Sequence, residues 1–139
     1  GVTLSSDGDA FVTGISTATK FVGDLSDAVT SRWSVVNQSS SAYRFTGPGG
    51  LDGSADNSTI YLARGQTYEF NLNASGHPFQ IRTSNGGSAY TTGVTYPSGT
   101  SAATGVVKFE VPFASPNTLV YQCTSHGSMV GNIVVYPSI

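Results

Sequence analysis

The chain is short of charge. Of its 139 residues only 10% are Asp, Glu, Lys or Arg, against roughly 25% in an average globular protein. The six Lys plus Arg never gather into a run, and phosphate neutralisation needs clustered cations, so a nucleic-acid partner is excluded. A net charge of -2 implies no polyanion partner. No apolar run is long enough to cross a bilayer. No positively charged leader with an apolar core opens the sequence, and its first residue is Gly1 rather than Met, which leads to the expectation of a processed chain or an excised fragment. No apolar pattern of period 3.6 runs for a useful length, so helices are not expected. One Cys cannot form an internal disulfide and says nothing firm about redox compartment. The length suits one domain with its own core and is short for two. Gly, Ser and Thr are abundant in place of charge, so a hydroxyl-rich surface is expected.

Against that background the few chemically distinctive residues sit close together in sequence. The only Cys and the only Met lie in Tyr121-Gln122-Cys123-Thr124-Ser125-His126-Gly127-Ser128-Met129 with one of the two His; the other is in Ser75-Gly76-His77-Pro78-Phe79. Singly, each has an ordinary explanation: an inward Cys as a small hydrophobe, a Met as gap filler, a His capping a loop. Together they offer two imidazoles, one thiolate and one thioether, the donor set of a mononuclear copper site. Structural zinc sites usually draw on more thiolates or a carboxylate.

Strand parity supports convergence. In Leu119 to Cys123, Cys123 shares a face with Leu119 and Tyr121 and is expected inward, with Gln122 opposite. In His77 to Arg82, His77 shares parity with Phe79 and Ile81, leaving Gln80 and Arg82 on the wet face. After Cys123 the spacing 123, 126, 129 on a tight loop containing Gly127 lets the ligands meet at one point.

Short strands recur through the chain: Arg32 to Asn37, Ala42 to Thr46, Thr59 to Ala63, Gln66 to Leu72, Phe79 to Thr83, Gly105 to Val111, Leu119 to Cys123 and Asn132 to Tyr136. Thr59 to Ala63 and Gln66 to Leu72, joined by Arg64-Gly65, look like a hairpin. Gly47 to Ser58 is expected as a long polar loop. Tyr43, Phe45, Tyr61, Tyr68 and Phe70 alternate as core residues do. The fold class is therefore all-β, an antiparallel β-sandwich with an N-terminal β-rich extension, divided into 1–33 and 34–139.

Tyr121-x-Cys123-x-x-His126-x-x-Met129, followed by Gly131 and Ile133-Val134-Val135, resembles the C-terminal ligand loop of the cupredoxins, the blue-copper family. Its spacing is similar to the short loop of the amicyanin type, and Gly76-His77 to the Gly-His ligand pair of the azurin type. The resemblance spans about Val35 to Ile139. It implies a Greek-key sandwich and one copper held by His77, Cys123, His126 and Met129, with a weak fifth contact from the Gly76 carbonyl. Small polar residues (Ser125, Gly127, Ser128) surround His126 where the family often has an apolar docking patch, and Pro78 follows His77 where many members differ.

Residues Gly1 to Ser31 are too sparsely apolar to form a core alone. Gly14 to Leu25 resembles stalk units in structural and fibre proteins of marine tailed phages, some of which carry a cupredoxin-like domain. That resemblance implies a virion protein with a structural or host-facing role, partnered by virion or host-surface proteins. It also implies a homotrimer meeting through Ile15, Phe21, Val22 and Leu25. Alternatives are an extension lying along the sandwich, a soluble type 1 copper electron carrier that is secreted or periplasmic, and a metal-free adhesin or decoration module. Enzymatic activity is not expected. Both His are claimed by the metal set, which leaves no Ser-His-Asp arrangement. Gly47-Pro48-Gly49-Gly50 lacks the Lys and helix of a phosphate cradle, and Asp7, Asp9, Asp24 and Asp27 are loosely spaced for calcium.

Overall fold

The computed structural model describes residues 31–139 and, before them, the backbone of two short strands, β1 (Val2–Leu4) and β2 (Ala10–Val12), which pair antiparallel. The Gly14 to Leu25 segment, with its four candidate trimer contacts, lies outside the described residues. Ten further strands follow: β3 (Ser31–Gln38), β4 (Ala42–Gly47), β5 (Leu51–Asp52), β6 (Ile60–Ala63), β7 (Thr67–Asn73), β8 (Phe79–Arg82), β9 (Val94–Thr95), β10 (Thr104–Glu110), β11 (Thr118–Cys123) and β12 (Val130–Tyr136). There is no helix among the described residues.

Two sheets, β5-β4-β3-β7-β10-β9 and β6-β12-β11-β8, enclose the core. Alternation decides which residues meet there: Trp33 and Val35 of β3, Tyr68, Phe70 and Leu72 of β7, Val107 and Phe109 of β10, and Ile133 and Val135 of β12 are all buried. Tyr43, Phe45, Phe70, Phe79 and Tyr121 form its aromatic centre, with Phe79 stacked on Tyr121 at 5.5 Å and Phe45 edge-on to Tyr121 at 4.8 Å. Truncating any one of these to Ala would cost about 3 to 5 kcal/mol. The chain passes repeatedly between the sheets, as in a Greek-key sandwich. Both sheets are mixed rather than purely antiparallel, because β3 runs parallel to β7 and β12 parallel to β6.

Three expectations need correction. Thr59 to Ala63 and Gln66 to Leu72 do not form a hairpin, since β6 and β7 belong to different sheets. Their connection is a bridge between layers: the Arg64 N–H donates to the Tyr136 carbonyl on β12 (3.0 Å) and the Gly65 N–H to the Val111 carbonyl after β10 (2.8 Å). Tyr61, placed with the core by alternation, is 61% exposed; it sits on the outer face of its sheet, which is open at β6. Finally, the expected boundary between 33 and 34 falls inside β3, whose Trp33 is a core residue donating through its indole N–H to the Pro48 carbonyl. The loop from Gly47 to Ser58 also contains a short strand, β5, on the sheet edge.

The ends of the sandwich differ. Ser31, where β3 begins, pairs with Tyr68 near the start of β7. The end of β7, the start of β8 and the end of β11 lie at the other pole, where Cys123 pairs with Phe79. The segment preceding Ser31 therefore joins the sandwich at the pole opposite to His77 and Cys123.

Candidate metal centre

Two structural pieces bring the donors together. The first is the turn between β7 and β8, in which the His77 N–H donates to the Ala74 carbonyl at 2.8 Å. Gly76 occupies the third position of that turn at φ +82, a conformation open to Gly and strained for other residues. The turn aims His77 at the pole, and the Tyr43 hydroxyl fixes its backbone by donating to the His77 carbonyl at 2.7 Å. Burial, and secondarily the nearby Cys123, raises the Tyr43 pKa well above that of a free phenol, so this donor stays protonated.

The second piece is the hairpin loop between β11 and β12. Its base closes with the Cys123 N–H donating to the Met129 carbonyl (2.9 Å), and the Met129 N–H donates back to the His126 carbonyl (3.0 Å). The Thr124 N–H donates to the Pro78 carbonyl (2.9 Å), tying this loop to the His77 turn. The Ser125 N–H points at Cys123 Sγ from 3.4 Å, a donor suited to a thiolate. Gly131 is required beside the loop because a Cβ there would overlap the Tyr121 hydroxyl, which donates to the Ser58 carbonyl at 2.6 Å.

The side chains of His77, Cys123 and His126 converge, with one ligand atom from each lying within 4.8 Å of the others. His77 Nδ1 is 3.2 Å from His126 Nδ1, and His126 Nδ1 is 3.8 Å from Cys123 Sγ. Metal–nitrogen and metal–sulfur bonds of about 2.0 to 2.3 Å span the 3.2 and 3.8 Å separations, and the third pair lies within 4.8 Å. Without an ion, the 3.2 Å contact lets one ring donate from Nδ1 and the other accept, and a bound metal would take the place of that proton. Cys123 is 1% exposed and both imidazoles are half-buried. The thiol is thus shielded while the ring edges reach the surface. Met129 is fully buried in the same loop. The cluster is one mononuclear site, and its donors are those of copper.

Gln122, expected on the face opposite Cys123, is 2% exposed. Its carboxamide is hydrogen-bonded to Arg82, Asn85, Gly86 and Gly127. Parity places it correctly on the outer face of β11, yet parity carries no signal for the turn that covers that face. Gln80 and Arg82, expected on the wet face, are half-buried alongside it.

No family model matches the chain, and no curated protein matches it. Among solved structures it is similar to reduced rusticyanin, at 17% identity and a TM-score of 0.49 over 77% of this chain and 79% of that one. It is also similar to rusticyanin from Thiobacillus ferrooxidans, at 16% identity and a TM-score of 0.49 over 77% of each chain. A purple cupredoxin from Nitrosopumilus maritimus gives 21% identity and a TM-score of 0.44 over 76% of this chain and 98% of that one. At these identities and scores the metal centre has to stand on its own donors.

Proposed function

We propose that this chain is a copper-binding, cupredoxin-like domain without enzymatic activity, in which His77, Cys123 and His126 are the strong ligands. Met129 would add a thioether, as the Cys-x-x-His-x-x-Met spacing of a short amicyanin-type loop implies, and the Gly76 carbonyl would be a further weak contact. The observation that carries the proposal is the convergence of two Nδ1 atoms and one shielded Sγ from two separate motifs. A metal-free adhesin would have no use for three such donors aimed at one point. A full ligand set offers no open position for a substrate, which argues against catalysis. Bound copper would supply thiolate-to-metal charge transfer and a one-electron couple; the chain's part is to hold the donors, exclude water from Cys123 and leave the imidazole edges near the surface.

Two roles fit this site. In the first the metal staples the β11–β12 loop to the His77 turn in a structural or host-facing domain of a virion fibre, trimeric through its N-terminal segment and partnered by virion or host-surface proteins. The attachment of that segment at the pole remote from the site favours this role, because it leaves the metal pole outward. The second is electron transfer by a secreted or periplasmic protein, favoured by the half-buried imidazole edges.

The test is Cu(II) addition to the purified chain, followed by visible absorption and electron paramagnetic resonance. An intense visible band is expected, absent in Cys123→Ser. Survival of the same band in Cys123→Ser would remove this ligand and the proposal with it.

A further inference from the structure

We propose that Gln122 is a positioning residue for the metal loop, clamping its outer side to the turn after β8 so that His126 is held beside Cys123 before any metal binds. The inference deepens the copper reading above and rests on it for its purpose, though not for its geometry. Gln122 adjoins Cys123 in β11, and the two side chains leave opposite faces of the strand. One strand end thus offers a thiol to the metal on the inside and a carboxamide to the loop on the outside.

All four places on that carboxamide are taken. Oε1 accepts from Arg82 Nη1 at 2.9 Å and from the Gly86 N–H at 2.8 Å. Nε2 donates to Asn85 Oδ1 at 3.0 Å and to the Gly127 carbonyl at 2.8 Å. Two donors face the oxygen and two acceptors face the nitrogen, so the amide has one orientation only. Gly127 directly follows His126, and its carbonyl is where the clamp grips the loop. The other anchors of the loop lie at its base or inner side, through Thr124, Ser125 and Met129.

The clamp is itself braced. Arg82 Nε donates to Gln80 Oε1 at 2.7 Å, and Gln80 Nε2 donates to the Thr100 carbonyl at 3.0 Å. A string of side chains therefore runs from Thr100 across β8 and β11 to the ligand loop. Buried polar networks of this kind fix one arrangement when complete and are costly when broken. A Gln kept only to satisfy its own burial would not need to grip the loop between two metal ligands.

The experiment compares the wild-type chain with Gln122→Glu, Gln122→Leu and a core control, Val135→Ala. Gln122→Glu keeps both acceptor contacts and loses both donations, so it retains a folded protein if Gln122→Leu does not. In metal-free protein, amide exchange at Met129, whose N–H bonds the His126 carbonyl, is read relative to the core amide of Val107. The ratio is expected to rise at least tenfold in the Gln122 variants and to stay unchanged in Val135→Ala. In copper-loaded protein, copper release to a chelator is expected to quicken about tenfold and the copper hyperfine pattern to shift in Gln122→Glu alone of the two folded comparisons. An unchanged exchange ratio in Gln122→Glu overturns the clamp. Absence of a charge-transfer band in the wild type overturns the copper reading instead, and the exchange ratio still decides the clamp.

Discussion

At one pole of the sandwich Arg64, 9% exposed, closes the ends of several strands with its guanidinium. It donates through Nε to the Pro137 carbonyl (2.7 Å), through Nη1 to the Phe113 (3.3 Å) and Ser115 carbonyls, and through Nη2 to Asn117 Oδ1 (2.6 Å). At the other pole His77, Cys123 and His126 point at a common centre. Both poles gather electron-rich atoms from separate strands, but only the first carries its own cation. The oxygens around Arg64 are satisfied by the sequence itself, whereas the metal pole presents donors that one proton can only half satisfy. A pole closed by a side chain should be stable under all conditions; a pole closed by an added ion should respond to its supply.

The largest expected effect is therefore at the metal pole. A ligand that binds only the folded state at a thousand times its Kd adds about 4 kcal/mol, so copper should raise the melting temperature by many degrees. His77→Ala and His126→Ala should each remove most of that gain. Both rings are half-buried, so each variant should cost the metal-free fold only about 1 kcal/mol. Thermal melts with and without copper measure both quantities, and a melting temperature indifferent to excess copper would mean that the two poles do not differ in this way.

Next comes the closed pole. Arg64→Leu strips four side-chain hydrogen bonds and leaves their acceptors facing an apolar group, at a cost of about 3 kcal/mol. The loss should be the same with and without copper, because sites this far apart and without shared partners add. Urea unfolding of the variant checks this, and a copper-dependent loss would show the two poles to be coupled.

How far the sequence exposed these poles follows from what strand parity can see. Alternation along Leu119 to Cys123 points Cys123 into the core, where it is 1% exposed, and the scarcity of soft donors drew attention to two motifs from which His77, Cys123 and His126 converge. The same rule assigned Gln122 and Tyr61 by face alone. It did so without knowing that the Asn85-Gly86 turn would cover Gln122 or that the outer face at Tyr61 would stay open. The hairpin expected around Arg64-Gly65 failed for a related reason: a tight turn between two alternating strands looks alike whether they pair or part. What parts them is a buried Arg whose partners lie from Phe113 to Pro137, far beyond any local window. The two parallel pairings, β3 with β7 and β6 with β12, depend on long crossovers and leave no local signature either.

The smallest effect on the fold, and the one that sharpens the comparison most for biology, concerns the segment before Ser31. Ser31, where it meets the sandwich, lies at the end remote from His77 and Cys123. Its apolar residues Ile15, Phe21, Val22 and Leu25 are too few for an independent core, and closed threefold symmetry would let sister copies supply what is missing. On this proposal light scattering gives a trimer for the full chain and a monomer for a chain beginning at Ser31, which keeps Trp33 and the whole of β3. Copper binding and the metal-free melting temperature of the shortened chain should match those of the full one within error. A monomer in both cases would return the segment to a surface extension and leave electron transfer as the better role. A trimer in both would place the interface on the sandwich itself, where the exposed Phe113 beside Gly65 at the Arg64 pole is the first residue to change.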